Sequence, residues 1–370
     1  MVQARLRVGV VGCGLIAQVM HLHYLRDLPE LFEIAALCDV SAELREQCAR
    51  DYQVGFTCGD WRELLRPDLD ALLILTSGSH APIAIAAAEA GLHVLTEKPM
   101  CFSVAEGQAM IAAAEHARRV LMVGYNKRYD PAYVRFAEEA RHLQDVRLAR
   151  ITTLEAPFLP YVGHYRLHKS GGMPDSVQSA LLRDNEMRLT EALGDVDPLS
   201  ARAYRLVLLD SLVHEFNAVR GVLGEPDQLD FADITETGLT AVLRFGATQC
   251  VLNWVDLPGI TRYSMEFAFL APEARLTLSF PSPFLRSEPT LLIREGGESG
   301  TARSWRTEEI TAYEESFRQE LLHFHDCVTS GKTPVTSAED ALRDVALCHA
   351  VIKVHRQRAA CPRPTDIVGG

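Results

Sequence analysis

A glycine-rich turn near the start of the chain constrains the fold more than any other stretch. Residues 6–11 (LRVGVV) form an apolar run typical of a buried strand, and residues 12–17 (GCGLIA) lead from it into a helical pattern. This order of strand, turn and helix is the dinucleotide-binding fingerprint, although glycine turns also serve purely structural strand–helix connections. We expect Gly12 to make the tight turn and Gly14 to let the backbone approach a pyrophosphate. Since the helix start offers unpaired N–H groups to phosphates, the predicted cofactor-binding residues here are Gly12, Gly14, Leu15 and Ile16.

An acidic residue follows at the position that the fingerprint requires. Residues 33–38 (EIAALC) read as a second buried strand, and Asp39 comes directly after it. A carboxylate there accepts hydrogen bonds from the adenosine ribose hydroxyls and repels a 2′-phosphate, so we predict NAD rather than NADP as the cofactor. Two alternatives remain open: Asp39 could instead cap the next helix, with Ser41 as a rival cap. Arg45 could weaken the preference for NAD by folding back to the ribose.

Size and charge limit the classes of function. The chain has 370 residues with 48% hydrophobic and 23% charged residues, which predicts two globular domains. Its formal net charge of −12 argues against a nucleic-acid or anionic-membrane partner. No stretch has the apolar length of a membrane-spanning helix, and no signal-peptide pattern precedes the first strand, so we expect a cytoplasmic protein.

Cysteine and histidine spacing gives no sign of a metal site. The nine cysteines contain no C-x-x-C pair, so we expect reduced thiols. Two H-x-H pairs, at 21–23 and 323–325, lack nearby cysteine or carboxylate ligands at metal spacing. We therefore predict that no metal is bound.

The first part of the chain alternates between strands and helices. Residues 1–124 contain repeated strand–helix units with short connections, which predict a parallel, doubly wound sheet in a dinucleotide-binding domain. Ligands of such sheets bind beyond the carboxyl ends of the strands. The candidate cofactor-binding residues that follow predicted strand ends are Asp39, Thr76, His80, Glu97, Lys98 and Asn126. For His80, capping the helix that begins near Pro82 is the alternative.

Glu97-Lys98-Pro99 and the motif at 124–131 (GYNKRYDP), together with the glycine turn, resemble the Gfo/Idh/MocA oxidoreductases. That family includes glucose–fructose oxidoreductase and inositol dehydrogenases. The resemblance implies a cis bond before Pro99, Lys98 as the group that polarises the reacting substrate oxygen, and Glu97 as the group that positions the lysine or the cofactor. A fixed ammonium stabilises the more anionic form of that oxygen. The ordinary alternative is a solvated Glu–Lys pair in a turn.

A different pattern begins after residue 124. Within the predicted domain 125–370, strands follow one another with turns rather than helices between them, which predicts a mainly antiparallel sheet in an α+β domain. The family resemblance implies the same open sheet, with one face over the active site and the other used for a homo-oligomer, dimer or tetramer. The predicted strands are Val146–Leu154, Gly238–Phe245, Gln249–Leu257, Arg262–Leu270, Arg275–Phe280 and Thr290–Arg294. Helices at Tyr313–Ser330 and Ala338–Arg356 end the chain and could pack back on the first domain.

Asp210 and His214 form a second candidate catalytic pair. Their i, i+4 spacing puts both side chains on one face of a helix, and the family's catalytic pair has the same D-x-x-x-H spacing. We predict that His214 is the general acid/base, since the unperturbed histidine pKa lies near neutral pH, and that Asp210 orients it or shares its proton. A capping aspartate and a partly buried histidine are the ordinary alternative.

The stretch before this pair departs from the family. Many members approach the pair through a compact glycine-rich segment, whereas the segment 156–205 here is long and polar and contains a predicted helix at 175–193. A loop of this length is commonly a lid, a substrate-binding element or an oligomer arm. Candidate substrate contacts are Tyr161, His164, Tyr165, Arg166 and Arg128, besides Lys98 and His214; each of the first five has an ordinary surface, packing or ion-pair role as its alternative.

Together these features predict an NAD(P)-dependent oxidoreductase. The family resemblance implies a sugar, a cyclitol or a related polyol as the substrate, interconverted between secondary alcohol and ketone by hydride transfer. Two other classes stay open: a dinucleotide-binding sensor without catalysis, and a redox-neutral enzyme with tightly bound NAD. A sensor needs none of Lys98, Asp210 and His214, so their joint presence favours an enzyme.

Overall fold

The computed structural model describes residues 5–173 and 175–359, and Cys361 lies outside this part of the chain. Within it the strands form two sheets, a six-stranded one of order β3-β2-β1-β4-β5-β6 and an eight-stranded one of order β14-β13-β12-β11-β7-β10-β9-β8. All pairs of the first sheet are parallel, and those of the second are antiparallel except β7 with β10. The predicted fold class, a doubly wound parallel sheet plus a mainly antiparallel one, is confirmed.

The strands are β1 Leu6–Val11, β2 Phe32–Cys38, β3 Phe56–Cys58, β4 Ala71–Ile74, β5 His93–Glu97, β6 Leu121–Gly124, β7 Leu148–Glu155, β8 Gln228–Ile234, β9 Gly238–Phe245, β10 Thr248–Asp256, β11 Ser264–Leu270, β12 Ala274–Phe280, β13 Leu291–Gly297 and β14 Ser304–Ile310. The α-helices are α1 Leu22–Arg26, α2 Ala42–Tyr52, α3 Ala81–Glu89, α4 Val104–Ala117, α5 Pro131–Ala140, α6 Leu159–Val162, α7 Asp175–Leu193, α8 Pro198–Ala203, α9 Val213–Leu223, α10 Ser316–Ser330 and α11 Ala338–Ala359. Shorter 3₁₀ segments are Trp61–Leu64 and Asn126–Tyr129, and π-helical segments are Ala17–His21 and Tyr204–Leu212.

Capping residues mark the ends of several helices that pack on the first sheet. Ser41 caps α2 by accepting a hydrogen bond from Leu44 N–H, and Ser103 and Glu106 form a reciprocal capping box at α4. Gly91, just past α3, has a φ of 84°, a left-handed conformation that glycine adopts without strain. The caps of α2 and α4 fix where these helices start and therefore the positions of the loops that precede them, and Gly91 ends the chain's path along α3.

The second sheet turns one face toward the helical run 198–223. Along β7 and β10 the register pairs Thr153 with Trp254 and Glu155 with Asp256. Since paired residues point to the same side of a sheet and side chains alternate along a strand, all four lie on one face. That face packs near α9, whereas the opposite face of the central strands is only partly covered.

The last helices return to the first sheet. Phe317, Leu321 and Phe324 of α10 are buried in one apolar cluster with Met20 and Phe32. The segment before α11 is tied to β6, because Val123 N–H donates to the Thr336 carbonyl and the Thr336 hydroxyl donates to the Val123 carbonyl. The chain end therefore completes the core on one side of the parallel sheet.

Among the described residues, no helix has the length and apolar character needed to cross a membrane. The eight described cysteines are free and buried, and no cluster of three or more potential metal ligands occurs in that same part of the chain.

Candidate active site

A cavity of about 870 Å³ lies between the carboxyl ends of the parallel strands and the inner face of the second sheet. Gly14, Thr76, Glu97 and Lys98 line it from the first sheet. From the other side it is lined by residues of β7, the π-helical segment, α9, β10 and the loops that follow the strands, among them Glu155, Asp210, His214, Trp254, Asp256 and Tyr263.

The glycine turn at the rim of the cavity has the geometry of a phosphate-binding cradle. Gly12 has a φ of +97°, and a Cβ built on it would lie 2.9 Å from the Leu75 backbone, so only glycine fits. Gly14 has open space where a Cβ would be, and it faces the cavity together with Leu15 and Ile16. The empty space above Gly14 is where a pyrophosphate can approach the backbone.

Asp39 lies directly after β2 and is hydrogen-bonded to the glycine turn. One carboxylate oxygen accepts a hydrogen bond from Cys13 N–H and the other from Ser41 N–H, each at 2.8 Å. A carboxylate has about four acceptor positions, so two remain for ribose hydroxyls. Because Ser41 caps α2, the capping alternative for Asp39 does not hold. Arg45 donates to the Asp39 carbonyl at 3.0 Å, which keeps its guanidinium near the same corner.

His80 lies beneath the cavity rather than on its wall. It is fully buried, and its two ring nitrogens lie 2.8 Å from the Glu97 carbonyl and 2.7 Å from the Thr76 carbonyl. Burial lowers the pKa of His80, and the two carbonyls oppose that shift. The ring therefore ties the loop after β4 to the end of β5 and supports Thr76 and Glu97, which do line the cavity.

Glu97 is held in place on both of its carboxylate oxygens. His21 Nε2 lies 2.7 Å from one oxygen, and Lys98 N–H donates to the other at 3.1 Å. Burial alone would raise the pKa of Glu97, but His21 and Lys98 outweigh it and lower the pKa. The Lys98–Pro99 bond is cis, as the family resemblance implies.

Lys98 and Asp210 join the two halves of the site. Lys98 Nζ donates to Asp210 Oδ1 at 2.8 Å and to the Asp210 carbonyl at 2.5 Å. Burial disfavours the charged lysine, yet the attraction of Asp210 prevails and raises the pKa of Lys98. The side chain is thus an ammonium group at neutral pH, fixed at the wall of the cavity.

His214 is held in its neutral form. Burial is the main cause of a pKa well below the usual value, and the positive charges of Lys127 and Lys98 lower it further. Its Nδ1 has no hydrogen-bond partner among the described residues, and its ring meets Tyr125 edge to face at a centroid distance of 5.7 Å. A neutral imidazole in the cavity wall can accept a proton.

The predicted contact between Asp210 and His214 is not formed. In the described part of the chain, no hydrogen bond joins them, and the Asp210 carboxylate turns to Lys98 instead. Asp210 is at the end of a π-helical segment and His214 in an α-helix, so their separation does not follow α-helical geometry. Asp210 therefore contacts the lysine rather than the histidine, and its part in proton transfer stays a prediction.

Two further predicted substrate contacts lie away from the cavity wall. Arg128 donates to the Asn217 side chain at 2.8 Å and lies 3.6 Å from Asp340, so its guanidinium is engaged behind α9. Tyr165 donates its hydroxyl to the Phe284 carbonyl at 2.8 Å. Neither residue is among those that line the cavity, and their substrate contacts stay predictions. Of the other candidates, Asn126 and Tyr161 line the cavity, whereas His164 and Arg166 are not among its lining residues.

Two further ionisable side chains at the site, Lys127 and Glu215, were not predicted from the sequence. Lys127, only 5% exposed, lines the cavity near Glu155 and the buried Glu215. Burial lowers the pKa of Lys127, with Glu215 opposing, and burial raises the pKa of Glu215 to about 7. Lys127 is next to the predicted site residues Asn126 and Arg128, and Glu215 is next to His214. The sequence alone does not tell which of two adjacent side chains points into the cavity.

Comparisons with known proteins agree with this geometry. Residues 6–125 match the model of the Gfo/Idh/MocA family, described as an oxidoreductase family with an NAD-binding Rossmann fold. The chain is 25% identical to myo-inositol 2-dehydrogenase from Thermotoga maritima over 366 residues, covering 94% of this chain and 96% of that protein.

Solved structures share the whole fold. A levoglucosan dehydrogenase in complex with NADH and L-sorbose matches with a TM-score of 0.73 at 19% identity, covering 95% of this chain and 97% of that one. A 3-ketoreductase from Actinomadura kijaniata in complex with NADP and TDP-benzene matches with a TM-score of 0.71 at 20% identity, covering 95% and 98%. With its glycine turn, its acidic residue after β2 and its charged lysine in the cavity, the part of the chain at residues 6–125 belongs to the Gfo/Idh/MocA family of NAD-binding oxidoreductases.

Proposed function

We propose that the protein interconverts a secondary alcohol and a ketone on a sugar, a cyclitol or a related polyol, with NAD in preference to NADP. One observation carries this proposal: the ammonium of Lys98 and the neutral imidazole of His214 face the same cavity into which Gly14 opens. A hydride transfer from an alcohol needs both a proton acceptor and a cation beside the oxygen, and the site offers one of each.

A bound nicotinamide would supply the hydride chemistry, and the glycine turn together with Asp39 would hold the dinucleotide. In the oxidation direction His214 takes the proton of the substrate hydroxyl, since its depressed pKa keeps it free to accept one. Lys98 stabilises the negative charge on the oxygen as it forms, and Asp210 holds the ammonium there through the 2.8 Å hydrogen bond. In the reduction direction the same groups act in reverse, with His214 returning the proton.

The walls of the cavity suit a polyhydroxylated molecule. Glu155 and Asp256 lie side by side at the ends of paired strands and can accept hydrogen bonds from several hydroxyls. Trp254 and Tyr263 offer ring surfaces to the apolar face of a sugar or cyclitol ring. The names of the relatives, a myo-inositol dehydrogenase and a levoglucosan dehydrogenase, support the same substrate class.

We propose cytoplasmic residence, no nucleic-acid partner, and a dimer or tetramer formed through the second sheet. Support for the oligomer comes from the partly exposed outer face of the central strands, where Val251 and Leu154 are incompletely covered. The negative net charge of −12 supports the lack of a nucleic-acid partner.

His214→Ala tests the catalytic assignment. Positioned acid/base catalysis contributes ~10²–10⁴-fold, so we expect turnover on an active polyol to fall by that factor while the Kd for NADH stays within about twofold. Absorbance of the reduced nicotinamide follows turnover, and NADH fluorescence gives the Kd. His116→Ala, at an exposed histidine of α4, is the matched control. Loss of NADH binding with unchanged turnover at saturating cofactor would contradict the assignment.

A further inference from the structure

Between β7 and α8 a long segment of the chain leaves the second sheet, contacts the half of the molecule that holds the first sheet, and then returns. After β7 the residues 157–173 and helix α7 lie against the nucleotide-binding half, and α8 then leads back to the cavity. We call residues 157–173 together with α7 the strap. It contacts the first half of the molecule at two separate places, one on each side of the glycine turn.

The first attachment joins the strap to the glycine turn itself. His168 N–H donates to the Gln18 side-chain oxygen at 2.8 Å, and the Gln18 amide donates back to the His168 carbonyl at 3.1 Å. The same Gln18 amide donates to the Cys13 carbonyl at 2.9 Å. In addition, His168 Nε2 lies 2.7 Å from Asp51 of α2, the helix that follows Asp39. This attachment therefore lies on the side where the adenosine ribose is expected.

The second attachment lies beyond the carboxyl end of β4. Arg188 of α7 donates to Glu106 at 2.7 Å, and both side chains are mostly buried, with 19% and 12% exposed. Glu106 also accepts from the Ser79 hydroxyl at 2.9 Å. One turn earlier in α7, Asn185 packs on Gly78, where an added Cβ would lie 2.6 Å from the Asn185 side-chain oxygen. Asn185 and Gly78 both line the cavity.

The two attachments lie on either side of the path of a dinucleotide. In this fold the dinucleotide runs over the carboxyl ends of the strands, from the acidic residue after β2 past the glycine turn to the nicotinamide site. Here that path leads from Asp39 past Gly14 to Lys98. A segment bound to Gln18 and Asp51 at one end and to Gly78 and Glu106 at the other crosses this path.

Helix α7 is the loosely packed part of the strap. None of the 19 residues of α7 is buried, whereas each of the other helices at the first sheet buries several side chains. In the described chain, its apolar contacts are limited to the partly exposed Leu189, Ala192 and Leu193, and Arg188 adds the ion pair to Glu106. Elements with few buried apolar contacts open at the lowest free-energy cost.

We propose that the strap closes over the bound dinucleotide, that Asn185 is a cofactor-binding residue, and that the Arg188–Glu106 ion pair limits cofactor release. This inference rests on the proposed function, since it requires that the chain binds NAD. It gives the atypical segment a role in the cofactor site, supplied by the second half of the molecule. The Asn185 amide can donate to the ribose or phosphate oxygens of the dinucleotide and accept from its hydroxyls.

Hydrogen exchange and NADH release test the proposal on the full-length protein. We expect NADH to slow amide exchange throughout α7 in the unsubstituted protein. In stopped-flow displacement, Arg188→Ala should release NADH at least roughly tenfold faster, because a charge-assisted contact is lost. Asn185→Ala should weaken NADH binding by roughly two- to tenfold, the range for one hydrogen bond. Arg183→Ala, at an exposed arginine of the same helix, should release NADH at the unsubstituted rate.

The outcomes separate the strap from the proposed function. If NADH binds but α7 shows no protection, and Arg188→Ala and Arg183→Ala release NADH equally, the strap proposal is overturned while the oxidoreductase proposal stands. If the unsubstituted protein binds neither NADH nor NADPH, both are overturned. The exchange measurement needs no variant, so unfolding of Arg188→Ala would not remove the test.

Discussion

Gly12 and Gly14 lie two residues apart in the same turn, yet the structure gives them different tasks. Gly12 combines a φ of +97° with a virtual Cβ 2.9 Å from the Leu75 carbonyl group. The left-handed conformation costs a non-glycine residue about 1–3 kcal/mol, and the contacted atoms are backbone, which cannot move without separating β1 from β4. Gly14 has no heavy atom within 4 Å of its virtual Cβ and lines the cavity.

Substitution by alanine should therefore separate stability from binding. Gly12→Ala should lose at least about 2 kcal/mol, and since each kcal/mol shifts the Tm by roughly 2–4 °C in larger domains, the Tm should fall by roughly 4–8 °C. Gly14→Ala should keep the Tm of the unsubstituted protein. Its methyl group would occupy the space of the pyrophosphate, and overpacking of about 1–3 kcal/mol corresponds to roughly a 5- to 150-fold rise in the Kd for NADH.

Differential scanning calorimetry without cofactor gives the Tm of each variant, and fluorescence titration gives the Kd for NADH. Each glycine variant is the control for the other, because the chemical change is the same methyl group. An unchanged Tm for Gly12→Ala would refute the steric argument at that position. A normal Kd for Gly14→Ala would show that no pyrophosphate lies against this residue, and the cofactor would have to be placed elsewhere.

Two further substitutions address electrostatics in the site. Asp39→Ala removes the charge that repels a 2′-phosphate. The Kd for NADPH should therefore fall by roughly tenfold, while the Kd for NADH should rise. Equal changes in the two Kd values would contradict the assignment of Asp39 to the ribose. Lys127→Met removes a positive charge that lowers the pKa of His214. The pKa of His214 should rise, so the acid limb of the pH profile of kcat/KM for alcohol oxidation should move to higher pH. Lys127→Arg keeps the positive charge and should leave the acid limb in place. A shift of the acid limb to lower pH in Lys127→Met would refute this reasoning.

The parallel sheet was predictable because its strands are short, nearly continuous apolar runs separated by helix signals. The strands missing from the sequence interpretation are β3, β8 and β14, and each lies at an edge of its sheet. An edge strand packs against one neighbour, so its composition is less constrained by burial; in β14 all but one residue is exposed. The pattern of apolar residues therefore carries little information about such strands.

Local geometry at the site was predictable where a motif fixes the backbone, as at Gly12 and at the cis bond after Lys98, and less so where only spacing was available. The i, i+4 rule for Asp210 and His214 assumes an α-helix, but the segment 204–212 is π-helical. Arg128 and Lys127 are adjacent in sequence, and of the two only the lysine lines the cavity. That choice depends on the contacts that Asn217 and Asp340 offer to the arginine, which only the folded chain brings together.

The return of the chain end to the parallel sheet restricts how such enzymes can exchange parts by recombination. Residues 1–124 hold every strand of that sheet, but Phe317, Leu321 and Phe324 complete its apolar core. A crossover just after Gly124 would pair a new sheet with an old α10, and the buried surfaces would no longer match. The part of the chain that forms the core around the parallel sheet is therefore discontinuous in sequence. Its two pieces, residues 1–124 and α10, have to be exchanged together.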